Sequence, residues 1–169
     1  FQITLYVNST PVRQTASDRL WDLYRGTSVG PNLLISLLMG FEKWLLHIAP
    51  NTKPDILIAY FQDLLMRSNN VMLTSVIVSI AEAYPDKLFP LICDLLRTKE
   101  LFHLDSHRAT KEYAAFISPF ASPLFREERL ESNQLPHRKE RLESVILSYQ
   151  SHSPELSEAD FQARKQTLY

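Results

Sequence analysis

Two histidines spaced four residues apart are the pattern in this sequence that most suggests chemistry. His103 and His107 flank Asp105, and residues four apart on a helix share a face, so the two imidazoles could hold a divalent metal. A hydrolytic metal site needs a third ligand and usually a glutamate base, and the His-Glu-x-x-His pattern is absent. We therefore expect a loop that begins a helix, capped by Asp105 or Ser106. A metal-dependent enzyme using His103 and His107 and a local recognition role are the alternatives.

Cys93 is the only cysteine, which excludes an intrachain disulfide and a cysteine-based zinc cluster. It lies between Ile92 and Asp94 among predicted core positions, so we expect a buried structural thiol. A nucleophile would need exposure and a neighbouring base. No serine occupies a Gly-x-Ser-x-Gly turn. The sequence thus predicts no catalytic, cofactor-binding or metal-binding residue.

Two further patterns suggest anion binding, but in both cases neighbouring residues argue against it. Residues 25–30 resemble a phosphate-binding loop, yet they lack the Lys-Ser/Thr ending, and Pro31 after Gly30 donates no backbone N–H. A basic cluster is interleaved with Glu140 and Glu143, so we expect it to be a solvated helix face; it comprises His137, Arg138, Lys139 and Arg141. The 18 basic and 19 acidic residues nearly cancel, so no field of one sign recruits nucleic acid.

The elements that would position these residues are mostly helices. Residues 1–7 alternate apolar and polar side chains, which predicts one short strand, and residues 8–15 read as a loop. A short helix is expected over 17–25, with Ser17 as N-cap and Gly26 as C-cap.

Four apolar helices form the predicted centre of the chain: Asn32–Ile48, Pro54–Arg67, Val71–Ala83 and 87–97. Their short connections predict antiparallel neighbours. The first is apolar around much of its circumference, so we expect burial on more than one side. Thr52 and Asp55 resemble a capping pair for the second helix. Core positions are also expected for the aromatic residues Trp21, Phe41, Trp44 and Tyr60.

The remaining third of the chain is more charged. We predict a helix over 101–116, a loop over 118–123, a helix from about Pro136 to Gln150, and a last helix that begins at 153–155. The chain would divide into an extended N-terminal segment (1–16), an apolar helical-repeat core (17–117) and a charged helical part (118–169).

This pattern does not alternate strands with helices, which excludes a doubly wound sheet. We predict an all-α, HEAT-like antiparallel helical-repeat (α-solenoid) segment with one short N-terminal strand, although no clean repeat signature accompanies it. The longest apolar stretch, Asn32–Ile48, is interrupted by Glu42 and Lys43 and is shorter than the roughly 20 residues of a membrane span. We expect no membrane association and a cytoplasmic location. The chain opens at Phe1 with neither Met nor a signal peptide, so we expect a segment of a longer protein.

Several helical stretches carry a family resemblance: SNNVMLTSVIVSIA at 68–81, AYP at 83–85, LFHLDSHR at 101–108, LPHR at 135–138 and FEKWL at 41–45. Over roughly 18–150 the chain resembles the helical region of large bacterial STAND-type (NACHT-like) P-loop ATPases, many of them linked to antiphage defence. The resemblance implies a piece of a multidomain sensor, with ATP and Mg²⁺ bound elsewhere in the parent protein. No Walker residue occurs in this segment, so it implies no ATP-binding position and no cofactor here.

The predicted function is therefore a non-catalytic scaffold that relays a signal through protein–protein contacts within a larger STAND-type defence ATPase. Its partners would be other proteins or other domains of the same protein, and the chain itself could form a homo-oligomer. A stand-alone HEAT-like adaptor that binds a protein or peptide is the first alternative, and the metal-dependent enzyme is the second.

Overall fold

The computed structural model describes residues 1–117, 132–151 and 158–168. This part of the chain is mostly helical, with a two-stranded antiparallel sheet at the N-terminus, which confirms the predicted all-α class. The strands are β1 (Gln2–Val7) and β2 (Thr10–Thr15). The helices are α1 (Asp18–Trp21), α2 (Asn32–Ile48), α3 (Pro54–Arg67), α4 (Val71–Ala83), α5 (Phe89–Leu96), α6 (Lys99–Ile117), α7 (Pro136–Lys139), α8 (Leu142–Gln150) and α9 (Glu158–Leu168).

The N-terminal segment is a β-hairpin, so the prediction of a loop over 8–15 was wrong. β1 pairs with β2 in a register that joins Val7 to Thr10 and leaves Asn8 and Ser9 as the turn. Both turn residues have positive φ, 47° and 64°, as the favoured two-residue hairpin turns require. The hairpin buries one face, formed by Ile3, Leu5, Val7, Val12 and Gln14, and β1 packs against α3 and α5.

The chain then enters the short helical segment that the sequence predicted over 17–25. The Ser17 side chain accepts a hydrogen bond from the Leu20 N–H, as expected of an N-cap. α1 passes directly into a 3-10 turn over Asp22–Arg25, which ends at Gly26 with φ of 64°. Only glycine adopts this left-handed conformation without steric cost, which explains why the segment stops there.

Helix α4 lies at the centre of the molecule. It packs against α1, α2, α3, α5, α7 and α8, and ten of its thirteen residues are buried. Asn70 caps it by accepting a hydrogen bond from the Met72 N–H at 3.1 Å. Leu142, Val145 and Tyr149 of α8 belong to the same apolar core as the hairpin and the central helices.

The predicted bounds of α2, α3 and α4 match the structure, while three details of the predicted helices were wrong. Thr52 and Asp55 do not cap α3, whose N-cap is Lys53 and makes no side-chain hydrogen bond. The predicted helix 87–97 begins only at Phe89. The predicted helix from Pro136 to Gln150 is two helices, because Glu140 and Arg141 are extended between them. The predicted loop 118–123 and the helix start at 153–155 lie outside the described residues.

Candidate functional site

The His103–Asp105–His107 pattern does not assemble into a metal site. All three residues lie inside α6, so the predicted loop at a helix start was wrong. His103 is exposed, whereas Asp105 is buried and binds the Arg108 guanidinium and the Leu142 backbone N–H. Across 1–117, 132–151 and 158–168 there is no group of three His, Cys, Asp or Glu side chains placed to hold a metal.

His107 instead faces the beginning of the helical region. Its ring nitrogens lie 3.9 Å from Asp18 Oδ2 and 3.8 Å from Asp22 Oδ2. Asp22 is fully buried and accepts a 2.8 Å hydrogen bond from Lys111 Nζ. Burial raises the pKa of Asp22, with Lys111 and His107 acting in the opposite direction. These contacts attach α1 to α6.

The Cys93 thiol is half-buried on α5, less buried than predicted. Burial raises its pKa, and the neighbouring Asp94 adds to that effect. A raised thiol pKa lowers the thiolate fraction at neutral pH, which disfavours nucleophilic chemistry.

Residues 25–30 have structural roles. Gly26 ends the 3-10 turn, and Gly30 lies against the Leu23 side chain, where a Cβ would collide with it. Arg25, at the start of this segment, is buried with 6% of its surface exposed. Gly26, Gly30 and Arg25 thus all serve the packing of this segment.

The most unusual feature of the described structure is a buried ionic network centred on Arg108. This side chain is 1% exposed, and it donates to Asp105 at 2.8 Å, Glu112 at 3.0 Å and Glu82 at 3.4 Å. It also donates to the backbone carbonyl of Glu140 at 3.0 Å. A guanidinium carries five donors in a fixed fork, so one side chain can join several elements. Arg108 thereby ties α6 to α4 and to the segment between α7 and α8.

Arg25 and Arg138 extend this network in two directions. Arg25 forms an ion pair with Glu112 and donates to Asn133 Oδ1 at 2.6 Å. Arg138 forms an ion pair with Glu42 of α2 and donates to Ser79 Oγ at 3.3 Å. Ser79 Oγ in turn donates to Glu42 at 2.5 Å. The buried Tyr24 ring lies under both guanidiniums, 6.0 Å from Arg25 and 5.5 Å from Arg138.

The network holds one more carboxyl group than guanidinium groups. Three arginines (Arg25, Arg108, Arg138) face four carboxyls (Glu42, Glu82, Asp105, Glu112). Burial raises the pKa of Glu82 well above its ordinary value, and the Asp105 charge beside it raises it further. Glu82 Oε1 accepts no hydrogen bond from the described residues. A proton on Glu82 can bond to the Asp105 carboxylate, which leaves three positive charges facing three negative ones.

The basic cluster at 137–141 was predicted to be a solvated helix face, and this prediction was wrong for two of its four basic residues. Lys139 and Arg141 are exposed, but His137 and Arg138 are 8% and 6% exposed. Burial lowers the pKa of His137 to about 4, and the positive charges of Arg138 and Arg25 lower it too. One residue in the sequence indicated that a basic side chain would be buried. Glu42 falls on the same side of α2 as Leu38 and Leu45, and a buried carboxylate needs a buried cation.

Helix α2 leaves an apolar face uncovered, contrary to the predicted burial on more than one side. Only Leu38, Glu42 and Leu45 are buried. Leu33, Leu37 and Trp44 are 75%, 61% and 49% exposed. At about 100° per residue these three side chains and Gly40 fall within roughly 60° of one another, and we call this set the α2 stripe. Trp21 is buried as predicted, but the predicted burial of Trp44 and of Tyr60, 39% exposed, was wrong.

One described helix is long and apolar enough to cross a bilayer. Asn32–Asn51, which is α2 with its following 3-10 turn, spans 20 residues with a mean hydropathy of 1.3, and 22% of that window is buried. The 3-10 turn adds the residues by which Asn32–Ile48 alone is too short for a membrane span. Core helices of globular proteins pass the same test, and the inner face of this one carries the Glu42–Arg138 ion pair.

Comparison with known proteins finds no family model that matches the sequence. It also finds no match among the curated proteins. The geometry of the described residues must therefore support any functional argument.

Proposed function

We propose that this chain is a non-catalytic helical module that acts through protein–protein contacts, as one segment of a larger bacterial STAND-type defence ATPase in the cytoplasm. The observation that carries the proposal is the α2 stripe, in which Leu33, Leu37 and Trp44 are 75%, 61% and 49% exposed on one helix face. Contiguous exposed apolar surface on a folded protein is typical of interaction sites. The family part of the proposal depends on the sequence resemblance alone.

The stripe favours a partner helix that carries acidic residues. Leu33, Leu37, Gly40 and Trp44 follow the alternating four- and three-residue spacing of a helix-pairing seam. A Cβ placed on Gly40 would meet nothing within 4 Å, so the stripe has a gap into which a partner side chain fits. Lys43 borders the stripe and is exposed. The single acidic residue of α2, Glu42, points to the opposite side. A carboxylate on the partner would thus meet Lys43 without repulsion.

The rest of the fold suits the transmission of force. The ionic network and α4 join α1, α2, α6, α7 and α8, so a displacement of α2 moves a packed body of helices. The proposed HEAT-like arrangement has the same consequence, and the short connections 49–53, 68–70 and 84–88 between α2, α3, α4 and α5 support it. ATP and Mg²⁺ would act in another domain of the parent protein, and no residue of this segment is assigned to them.

The test is hydroxyl-radical footprinting of the complete protein as its gene encodes it. We expect Leu33, Leu37 and Trp44 to be protected, whereas Ile56 and Met66, 57% and 45% exposed on α3, react freely. Leu37→Glu should restore the reactivity of Trp44. Met39→Glu, at a residue 45% exposed on another side of α2, is the matched control and should not.

Reaction of the stripe in proportion to its exposed fractions would refute the interface. An intact mass of 19.6 kDa, with the stripe protected only by a separate protein, would favour the stand-alone adaptor. A complete protein that hydrolyses no ATP would refute the ATPase assignment while leaving the interface intact.

A further inference from the structure

A cavity of about 490 Å³ opens between α6 and the segment around α7. One wall is α6, with Ala109, Thr110, Glu112 and Tyr113; the other contains Asn133, Gln134, Arg138, Lys139 and Arg141. Small-molecule pockets in proteins span roughly 300–1,000 Å³, so this cavity is large enough for a small organic molecule and larger than a bare ion requires.

The charges on the two walls do not cancel. Glu112 is neutralised by ion pairs with Arg25 and Arg108, and Arg138 by its ion pair with Glu42. Lys139 and Arg141 are exposed, and neither has an ion pair within the described part of the chain. Two cations that lie two residues apart on one wall and have no ion pair there favour an anion, and a guanidinium beside an ammonium suits phosphate.

The α6 wall, across the cavity from Lys139 and Arg141, carries the aromatic side chain of Tyr113. Tyr113 is 74% exposed although it lines the cavity, so most of its side chain is accessible to a planar group. Stacking of a nucleobase on an aromatic side chain is worth about 1–3 kcal/mol. The amide of Gln134 is exposed and can both donate to and accept from a polar ring edge.

We propose that this cavity binds a small organic phosphate with a planar ring, of mononucleotide size, with its phosphate on Lys139 and Arg141 and its ring on Tyr113. The ligand would bridge α6 and the 133–141 segment, which the ionic network already joins through Arg25 and Arg108. Because such a ligand binds only the folded chain, it should raise the melting temperature in proportion to its occupancy. The inference is independent of the α2 stripe.

The experiment is isothermal titration of the complete protein with AMP, GMP, CMP and UMP, with a thermal-shift measurement beside it. We expect saturable binding of at least one mononucleotide. Lys139→Gln and Arg141→Gln should each weaken that binding about tenfold, the loss of one charge-assisted contact. Tyr113→Ala should weaken it by a similar factor and Tyr113→Phe should restore it, since the ring and not the hydroxyl is used.

Lys165→Gln is the matched control, because Lys165 is exposed on α9 and does not line the cavity. All four substituted side chains are exposed, so the five variants should fold like the wild type, and circular dichroism would check this. Absence of binding at millimolar mononucleotide would overturn the proposal, as would equal effects of the Lys139 and Lys165 variants. Equal affinity for inorganic phosphate would overturn the ring contact. Preference for an RNA oligonucleotide, with a steep salt dependence, would overturn the small-molecule assignment.

Discussion

Glu82 offers the sharpest test of how this fold accommodates buried charge. Three guanidiniums face four carboxyls in the network, and one protonated carboxyl would balance these buried charges. Glu82 is the carboxyl with the raised pKa. Glu82→Gln replaces a neutral acid by a neutral amide of the same shape, so the free energy of unfolding should change by less than about 1 kcal/mol. The amide retains a donor for the Asp105 carboxylate.

The control is the same substitution at Glu112, whose carboxylate is bonded to both Arg25 and Arg108. Glu112→Gln leaves the buried Arg25 guanidinium with no carboxylate partner among the described residues, which should cost about 3–5 kcal/mol. Urea unfolding at pH 7, with equal m-values for the two variants, measures the difference. A Glu82→Gln variant that is destabilised as much as Glu112→Gln would refute the protonated state.

The pH dependence gives a second readout of the same proton. Because the folded-state pKa of Glu82 is raised, its contribution to stability is fully present below the ordinary glutamate pKa of about 4.3. That contribution declines as the pH rises through the folded-state pKa. Glu82→Gln should remove this decline. Identical pH profiles for the variant and the wild type would mean that the pKa of Glu82 is the same in the folded and unfolded chains, which would refute the raised pKa.

Other predictions concern single elements of the fold. His137 has a folded pKa of about 4, so the wild type should lose stability as the pH falls from about 6.5 to 4, and His137→Gln should abolish that loss in pH-dependent unfolding. Leu45→Ala, at a fully buried position on the inner face of α2, should cost about 2–5 kcal/mol in urea unfolding, whereas Leu37→Ala on the stripe should stay within about 0.5 kcal/mol. Asn70→Ala removes the N-cap of α4 and should cost about 1 kcal/mol in the same assay.

Local features of the sequence predicted the helices well because their causes are local. The bounds of α2, α3 and α4 follow from apolar spacing and from the Pro and Asn residues between them. Ser17 and Gly26 act through hydrogen bonds and backbone angles within a few residues. The hairpin was missed because its turn is Asn8-Ser9, and Ser lacks the tolerance for positive φ that makes Asn-Gly recognisable.

The ionic network could not be predicted from local sequence, because its partners are far apart along the chain. Glu42 and Arg138 are 96 residues apart, and Arg25 and Glu112 are 87 apart. No local rule joins them. The cluster at 137–141 was predicted to be a solvated face, because the carboxylate that pairs with Arg138 depends on how α2, α4 and α7 pack. On α6 the sequence did indicate that charged residues would be buried. Asp105, Arg108 and Glu112 continue the helical spacing of the buried Leu101 and Leu104.

Glu42 also decides which side of α2 faces outward. Both sides of this helix are apolar, so hydrophobic burial alone would not determine which side faces the core and which faces solvent. Glu42 lies opposite the stripe, and leaving Arg138 without a carboxylate inside the molecule would cost several kcal/mol. The rotation that brings Glu42 to Arg138 is the one that exposes Leu33, Leu37 and Trp44. The buried ion pair therefore contributes specificity more than stability, since it fixes which apolar face of α2 is exposed.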